Sequence, residues 1–124
     1  MINEELLNNK KGQYLYEKKY NLWPNSSNKT ITTDISLEGN RPGGRTFLAV
    51  INGHTASGDY TFSKIYMLRL GYSGDYVTPT LIAESKGSSV STGTFTFSVN
   101  ENHYLTLTMT LNTGSINLRI IDFN

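Results

Sequence analysis

The sequence contains no cysteine, little charge and no long apolar run, and each absence narrows what the chain can be. Without cysteine there is neither a disulfide framework nor a thiolate metal site. Charged residues make up 17% of the 124, below the usual ~25%, and a net charge of +1 offers no electrostatic footprint for nucleic acid. No stretch approaches the roughly 18 apolar residues of a membrane span, and the first residues lack a signal-peptide pattern. We therefore expect one domain made in a bacterial cytoplasm, with no nucleic-acid partner and no membrane insertion.

The first twelve residues differ in pattern from the rest of the chain. Two acidic residues follow the potential cap Asn3, and Lys10 and Lys11 precede Gly12, a charge order that suits a helix dipole. Few apolar residues are available for burial, so such a helix is marginal on its own. We expect residues 1–12 to form a short helical stem or linker, with a frayed terminus as the alternative.

From residue 13 onward, apolar residues recur at every second position, which is the period of a half-buried strand. Turn signals rich in Gly, Asn and Ser separate about eight such stretches. Thr, Ser and Asn together make up about a third of the chain, which suits sheets with hydroxyl-rich outer faces. The sequence predicts an all-β domain over residues 13–124, an antiparallel β-sandwich of jelly-roll-like form.

Several strands carry more specific expectations. Residues 47–51 and 62–70 are apolar on both faces, as in strands from the middle of a sheet. Pro79 indicates an edge strand or a bulge. Near the carboxyl end, three alternating stretches separated by short turns predict two successive hairpins.

No residue pattern for catalysis or metal binding stands out. His54 and His103 lie far apart in the sequence, and no paired-histidine motif for zinc is present. Asp59 and Asp75 lie in separate Gly-Asp turns rather than in a calcium-binding loop. A Gly-x-Ser-x-Gly nucleophile motif is also absent. We expect no catalytic residue, no metal and no cofactor, and therefore a protein that is not an enzyme.

Eight tyrosines and one tryptophan are the strongest signal in the sequence, and several lie at the margins of expected loops. A tyrosine ring can stack on the face of a sugar while its hydroxyl group forms a hydrogen bond. The alternative is that these rings only cover the sandwich, because tyrosine is common in strands. The expected ligand-binding residues are Trp23, His54, Tyr60, Tyr72, Asp75 and Tyr76.

Five strand patterns follow one another in the final two-thirds of the chain: RTFLAV at 45–50, SKIYMLR at 63–69, TFTF at 94–97, YLTLT at 104–108 and INLRII at 116–121. In this order they resemble the C-terminal domain of bacteriophage tailspike and tail-fibre proteins. The resemblance implies a jelly-roll-like sandwich in the virion tail that forms a homotrimer and attaches to bacterial surface polysaccharide. No catalytic residue of that family is matched.

The resemblance suggests why residues 47–51 and 62–70 are apolar on both faces. One face would fill the sandwich and the other would meet a neighbouring subunit, so that a closed ring hides the exposed apolar surface. We expect Ile65, Met67 and Arg69 at this interface. Two functions remain open: trimerisation with binding of host polysaccharide, and a trimerisation cap that binds no glycan. A small glycan hydrolase is a third alternative, which the absence of a catalytic pattern disfavours.

Overall fold

The computed structural model describes residues 14–21, 29–38, 46–54, 61–87, 93–110 and 114–122. These residues contain strands and turns but no helix. The expected stem at 1–12 lies outside the described residues. The eight strands are β1 (Tyr14–Asn21), β2 (Lys29–Ser36), β3 (Thr46–His54), β4 (Thr61–Leu70), β5 (Val77–Lys86), β6 (Phe95–Val99), β7 (Tyr104–Met109) and β8 (Ser115–Asp122).

The strands form two antiparallel sheets, which confirms the all-β sandwich. The larger sheet has the order β1-β8-β3-β4-β5 and the smaller sheet the order β2-β7-β6. The first strand pairs with the eighth in the larger sheet, and the second pairs with the seventh in the smaller sheet. β4 and β5 extend the larger sheet as a meander, so the sheets have five and three strands rather than four each.

One of the two expected hairpins at the carboxyl end is wrong. β6 and β7 do pair as neighbours, with Phe97 opposite Leu107. β7 and β8 lie in different sheets, because β8 crosses the sandwich and inserts between β1 and β3. Alternation shows that one face of a strand is buried, but it does not show which sheet the strand joins.

The core lies between the two sheets and is built from the inward-facing half of each strand. The fully buried side chains include Phe47 and Ile51 of β3, Leu107 of β7 and Leu118 of β8. One buried hydroxyl group has a hydrogen-bond partner on the neighbouring strand of its sheet: Thr33 Oγ1 on β2 donates to the Leu105 carbonyl on β7 at 2.7 Å. The residues of the core are therefore those that the period-two pattern places on the inward faces. The buried Thr33 hydroxyl group is hydrogen-bonded, as buried polar groups usually are.

The positions of β3 and β5 in the larger sheet agree with the sequence. β3 is the central strand, as expected for a stretch that is apolar on both faces. β5 is an edge strand, and it contains both Pro79 and a bulge opposite Ile65 and Tyr66. A proline and a bulge both limit further pairing at a free edge.

A lysine side chain is buried at the margin of the core. Lys64 lies on the inward face of β4 and is 7% exposed. Its Nζ is 3.6 Å from Glu84 Oε2 on β5 and 5.2 Å from the centre of the Phe95 ring on β6. The carboxylate and the aromatic face together compensate for the loss of water around the ammonium group.

Candidate functional site

The outward face of the larger sheet carries a continuous group of apolar side chains. Leu48 pairs with Ile121 on β8 and with Met67 on β4, and Val50 pairs with Ile65 in the next outward row. We call these five residues the apolar band. Met67 is 37% exposed and the other four are half-buried. Among the described residues no other strand packs over this face.

The outward face of the smaller sheet is different in composition. Its strands present threonine and serine in facing rows, and the Thr30 and Thr108 hydroxyl groups lie 3.3 Å apart. Thr96 of β6 extends the same row beyond Thr108. Such a face is readily hydrated and needs no protein partner. The apolar band is therefore a property of one sheet and not of the whole surface.

The three residues expected at a subunit interface all lie on the outward face of β4. Ile65 and Met67 belong to the apolar band, and Arg69 follows at its end, paired with Thr46 and Thr78. The band is flanked on β1 and β8 by an ion pair in which Arg119 Nε donates to Glu17 Oε2 at 2.8 Å. The sandwich interior is thus formed by the opposite face of β4, including Phe62 and Leu68.

Beyond the apolar band, the same outward face becomes polar and forms a cavity of about 680 Å³. Two rows of residues provide its outward side chains: Asn52 faces Asn117, and in the next row His54 faces Ser115. We call this cavity the amide pocket. Its lining residues are Lys19, Tyr20, Asn21, Asn52, Gly53, His54, Thr61, Ser115, Ile116 and Asn117.

Hydrogen bonds hold several polar side chains of the amide pocket in place. Ser63 Oγ donates to Asn52 Oδ1 at 2.6 Å, which leaves the Asn52 Nδ2 protons able to donate elsewhere. Ser115 Oγ and His54 Nε2 lie 2.9 Å apart and form a second hydrogen bond. Amides and hydroxyl groups both donate and accept hydrogen bonds, so the pocket is chemically suited to a ligand rich in hydroxyl groups.

The floor of the amide pocket depends on a glycine. A Cβ atom at Gly53 would lie 2.7 Å from the Ser115 carbonyl oxygen and 2.9 Å from Ile116 Cγ2. β3 and β8 can approach this closely because position 53 has no side chain.

Tyr20 lies where the amide pocket borders the core. Its hydroxyl group is hydrogen-bonded to that of Tyr16 on the same strand. Burial raises the pKa of Tyr20, and the hydrogen bond to Tyr16 and the charge of Asp34 raise it further. Tyr20 is therefore a neutral hydrogen-bonding group well above neutral pH.

Three of the expected ligand-binding residues, Tyr72, Asp75 and Tyr76, lie at the end of the larger sheet opposite the amide pocket, between β4 and β5. Tyr72 and Tyr76 lie in the turn between β4 and β5 and are 62% and 51% exposed. The turn is closed by the Gly71 amide, which donates to the Tyr76 carbonyl at 2.8 Å, and the Tyr76 ring lies against Gly71. Asp75 is an exposed residue of the same turn.

The six expected ligand-binding residues do not meet in one place. His54 lies in the amide pocket, opposite Thr61 at the start of β4, whereas Tyr72, Asp75 and Tyr76 lie beyond the end of β4 at Leu70, at least nine residues or about 30 Å further along the strand. Trp23 and Tyr60 lie outside the described residues. Four lining residues were not expected from the sequence, namely Lys19, Asn52, Ser115 and Asn117, although asparagine in the middle of two strands is unusual enough to be a signal.

Two kinds of site are not seen within the described ranges. Those residues contain no group of three or more His, Asp or Glu side chains that could hold a metal ion. They also contain no helix long and apolar enough to cross a membrane. The outward face of the larger sheet, with its apolar band and amide pocket, is the candidate functional surface.

Comparison with known proteins bears on the fold. No protein-family model and no curated protein sequence matches the chain. A crystal structure of an Acinetobacter phage tailspike protein is similar, with a TM-score of 0.51 over 87% of this chain and 18% sequence identity. The fold is tailspike-like. The similarity covers 21% of the tailspike chain, so this chain corresponds in length to about a fifth of that protein.

Proposed function

We propose that this chain is a domain of a bacteriophage tailspike or tail fibre, located in the virion tail. In this role it assembles as a homotrimer and binds polysaccharide on the surface of the host bacterium. The observation that carries the proposal is the apolar band, which lies on one sheet face while the other sheet presents hydroxyl groups. The tailspike-like fold supports the phage context.

The physical argument for self-assembly is the cost of leaving the apolar band in water. Burial of apolar surface contributes about 25 cal/mol per Å², and contiguous exposed apolar patches are uncommon on monomers. Three copies related by a closed rotation can bury the same patch on each subunit. The Glu17–Arg119 pair and Arg69 at the margins of the band would supply a polar rim.

The amide pocket beside the apolar band supports glycan binding. Its polar side chains are almost all uncharged hydrogen-bonding groups, and two of them are held by hydrogen bonds to neighbouring strands. The proposed role is binding without chemical conversion, and it uses no metal and no cofactor.

A trimerisation cap that binds no glycan is the second candidate, because the apolar band alone would satisfy it. The two functions differ in one measurement, which is whether the trimer binds a saccharide saturably in isothermal titration calorimetry. They share the prediction that the chain is trimeric.

Light scattering coupled to size exclusion tests the assembly. At micromolar concentration we expect the mass of a trimer, and Met67→Glu should give a folded monomer because it places a charge in the buried interface. The control Thr96→Glu introduces the same charge on the hydroxyl face and should remain trimeric. Circular dichroism checks that both variants fold. A monodisperse wild-type monomer would refute self-assembly.

A further inference from the structure

We infer that the amide pocket takes an acidic saccharide, in which hydroxyl groups meet the asparagine and serine side chains and a sugar carboxylate meets Lys19. This inference rests on the glycan-binding part of the proposed function and specifies its ligand class. The inference follows from the lysine in the described lining of the pocket and from the absence of a carboxylate there.

The described lining of the amide pocket carries one positive charge, on Lys19. Lys19 lies on the outward face of β1, opposite Asn117, and no carboxylate belongs to the described lining. Glu17, two residues away on the same face, accepts a hydrogen bond from Arg119. Among the residues that the structure describes, no carboxylate lies within ion-pair distance of the Lys19 ammonium group. The pocket therefore favours an anionic group over a cation.

The size of the amide pocket and the spacing of its polar rows suit a small saccharide. A cavity of about 680 Å³ is far larger than a free carboxylate or inorganic ion needs, and lies in the ordinary range for small-molecule sites. The rows Asn52–Asn117 and His54–Ser115 lie about 6.6 Å apart along the strands. A pyranose ring can therefore contact both rows through its hydroxyl groups.

The amide pocket lacks the features of a site for a phosphate-rich ligand among its described residues. Nucleic acids and polyphosphates are bound by clusters of arginine and lysine or by helix N-termini. The described lining of the amide pocket has one lysine and no arginine, and its backbone is entirely in strands or at their ends. One ammonium group beside neutral amides matches a sugar that carries one carboxylate per residue.

The test uses trigalacturonate and its carboxyl-reduced counterpart, a galactose trisaccharide with the same linkage, in isothermal titration calorimetry at about 20 mM salt. We expect wild-type protein to bind the acidic trisaccharide about threefold to fivefold more tightly than the neutral one. Lys19→Gln should make the two affinities equal, and raising the salt to about 200 mM should reduce the difference between them. The control Lys86→Gln removes the same charge from an exposed position on β5, outside the described lining, and should lower the preference much less than Lys19→Gln does.

The outcomes separate the inference from the function on which it rests. Equal binding of both trisaccharides by wild-type protein would overturn the acidic preference while leaving glycan binding in place. No binding of either trisaccharide by a protein that light scattering shows to be trimeric would overturn the saccharide site and favour the cap. Asn52→Ala should weaken both trisaccharides alike, since the Asn52 amide meets hydroxyl groups and not the carboxylate.

Discussion

Replacing Gly53 with alanine should both destabilise the fold and open the amide pocket. The added Cβ atom would lie 2.7 Å from the Ser115 carbonyl oxygen, roughly 0.6 Å closer than the ~3.3 Å of a close C···O contact. It would also lie 2.9 Å from Phe62 Cζ and from Ile116 Cγ2. The oxygen belongs to the backbone of β8, so relief requires that β3 and β8 move apart.

The magnitude follows from two opposing effects. Overpacking a well-packed site costs about 1–3 kcal/mol, whereas the lower entropy of the unfolded alanine chain returns about 0.4–1 kcal/mol. We therefore expect a net loss of about 1–2 kcal/mol in the free energy of unfolding. For a chain of this length that corresponds to a fall in Tm of about 4–8 °C.

Thermal unfolding followed by circular dichroism measures this effect, with all variants at one protein concentration because assembly also raises Tm. Ser85→Ala, which adds no Cβ contact at an exposed position on β5, should shift Tm very little. If Gly53→Ala keeps the wild-type Tm and the wild-type saccharide affinity, the close approach of β3 and β8 is not a determinant of the pocket.

Two further predictions concern the core and its response to pH. Leu118 is fully buried, so Leu118→Ala should lower the free energy of unfolding, measured in urea, by about 2–5 kcal/mol. Leu81→Ala, at a 45% exposed position on the edge strand, should lower it much less. Equal losses in the two variants would contradict the assignment of inward and outward faces. Burial raises the folded-state pKa of Tyr20 and Tyr66 above the ordinary value of about 10. As the pH rises above about 10, the unfolded chain therefore loses its tyrosine protons before the folded chain does. The contribution of these tyrosines to stability is complete below pH ~10 and is lost as the pH rises further. The urea midpoint should therefore fall above pH 10, and less steeply in Tyr20→Phe; an identical slope in both proteins would contradict the role of Tyr20.

Local sequence pattern was sufficient to predict most strands and their inward faces. Ile31, Ile35 and Leu37 are buried as their alternation indicated, and Pro79 lies in an edge strand. The same reasoning failed for the segment after Met109, because β7 and β8 alternate in the same way whether they pair with each other or cross between sheets. The order of strands within a sheet depends on contacts between segments far apart in the chain.

In the candidate site, too, local pattern predicted some features, while contacts between distant segments decided the rest. The tyrosines at 72 and 76 form a local turn whose exposure could be anticipated, but His54 lies at the opposite end of the sheet. The amide pocket combines Lys19, Asn52 and Asn117, which no local pattern connects. Their meeting depends on the register of β1, β8 and β3, in which Asn117 faces both of the other residues.

The sequence by itself determined an all-β chain, the residues that face inward and an excess of apolar residues on β3 and β4, because period and composition are local properties. Only the tertiary structure decided that this excess forms one band on the outward face of the larger sheet, with a polar cavity beside it. The physical reason is that pairing register aligns side chains across strands, and register is fixed by burial of the opposite face against the second sheet.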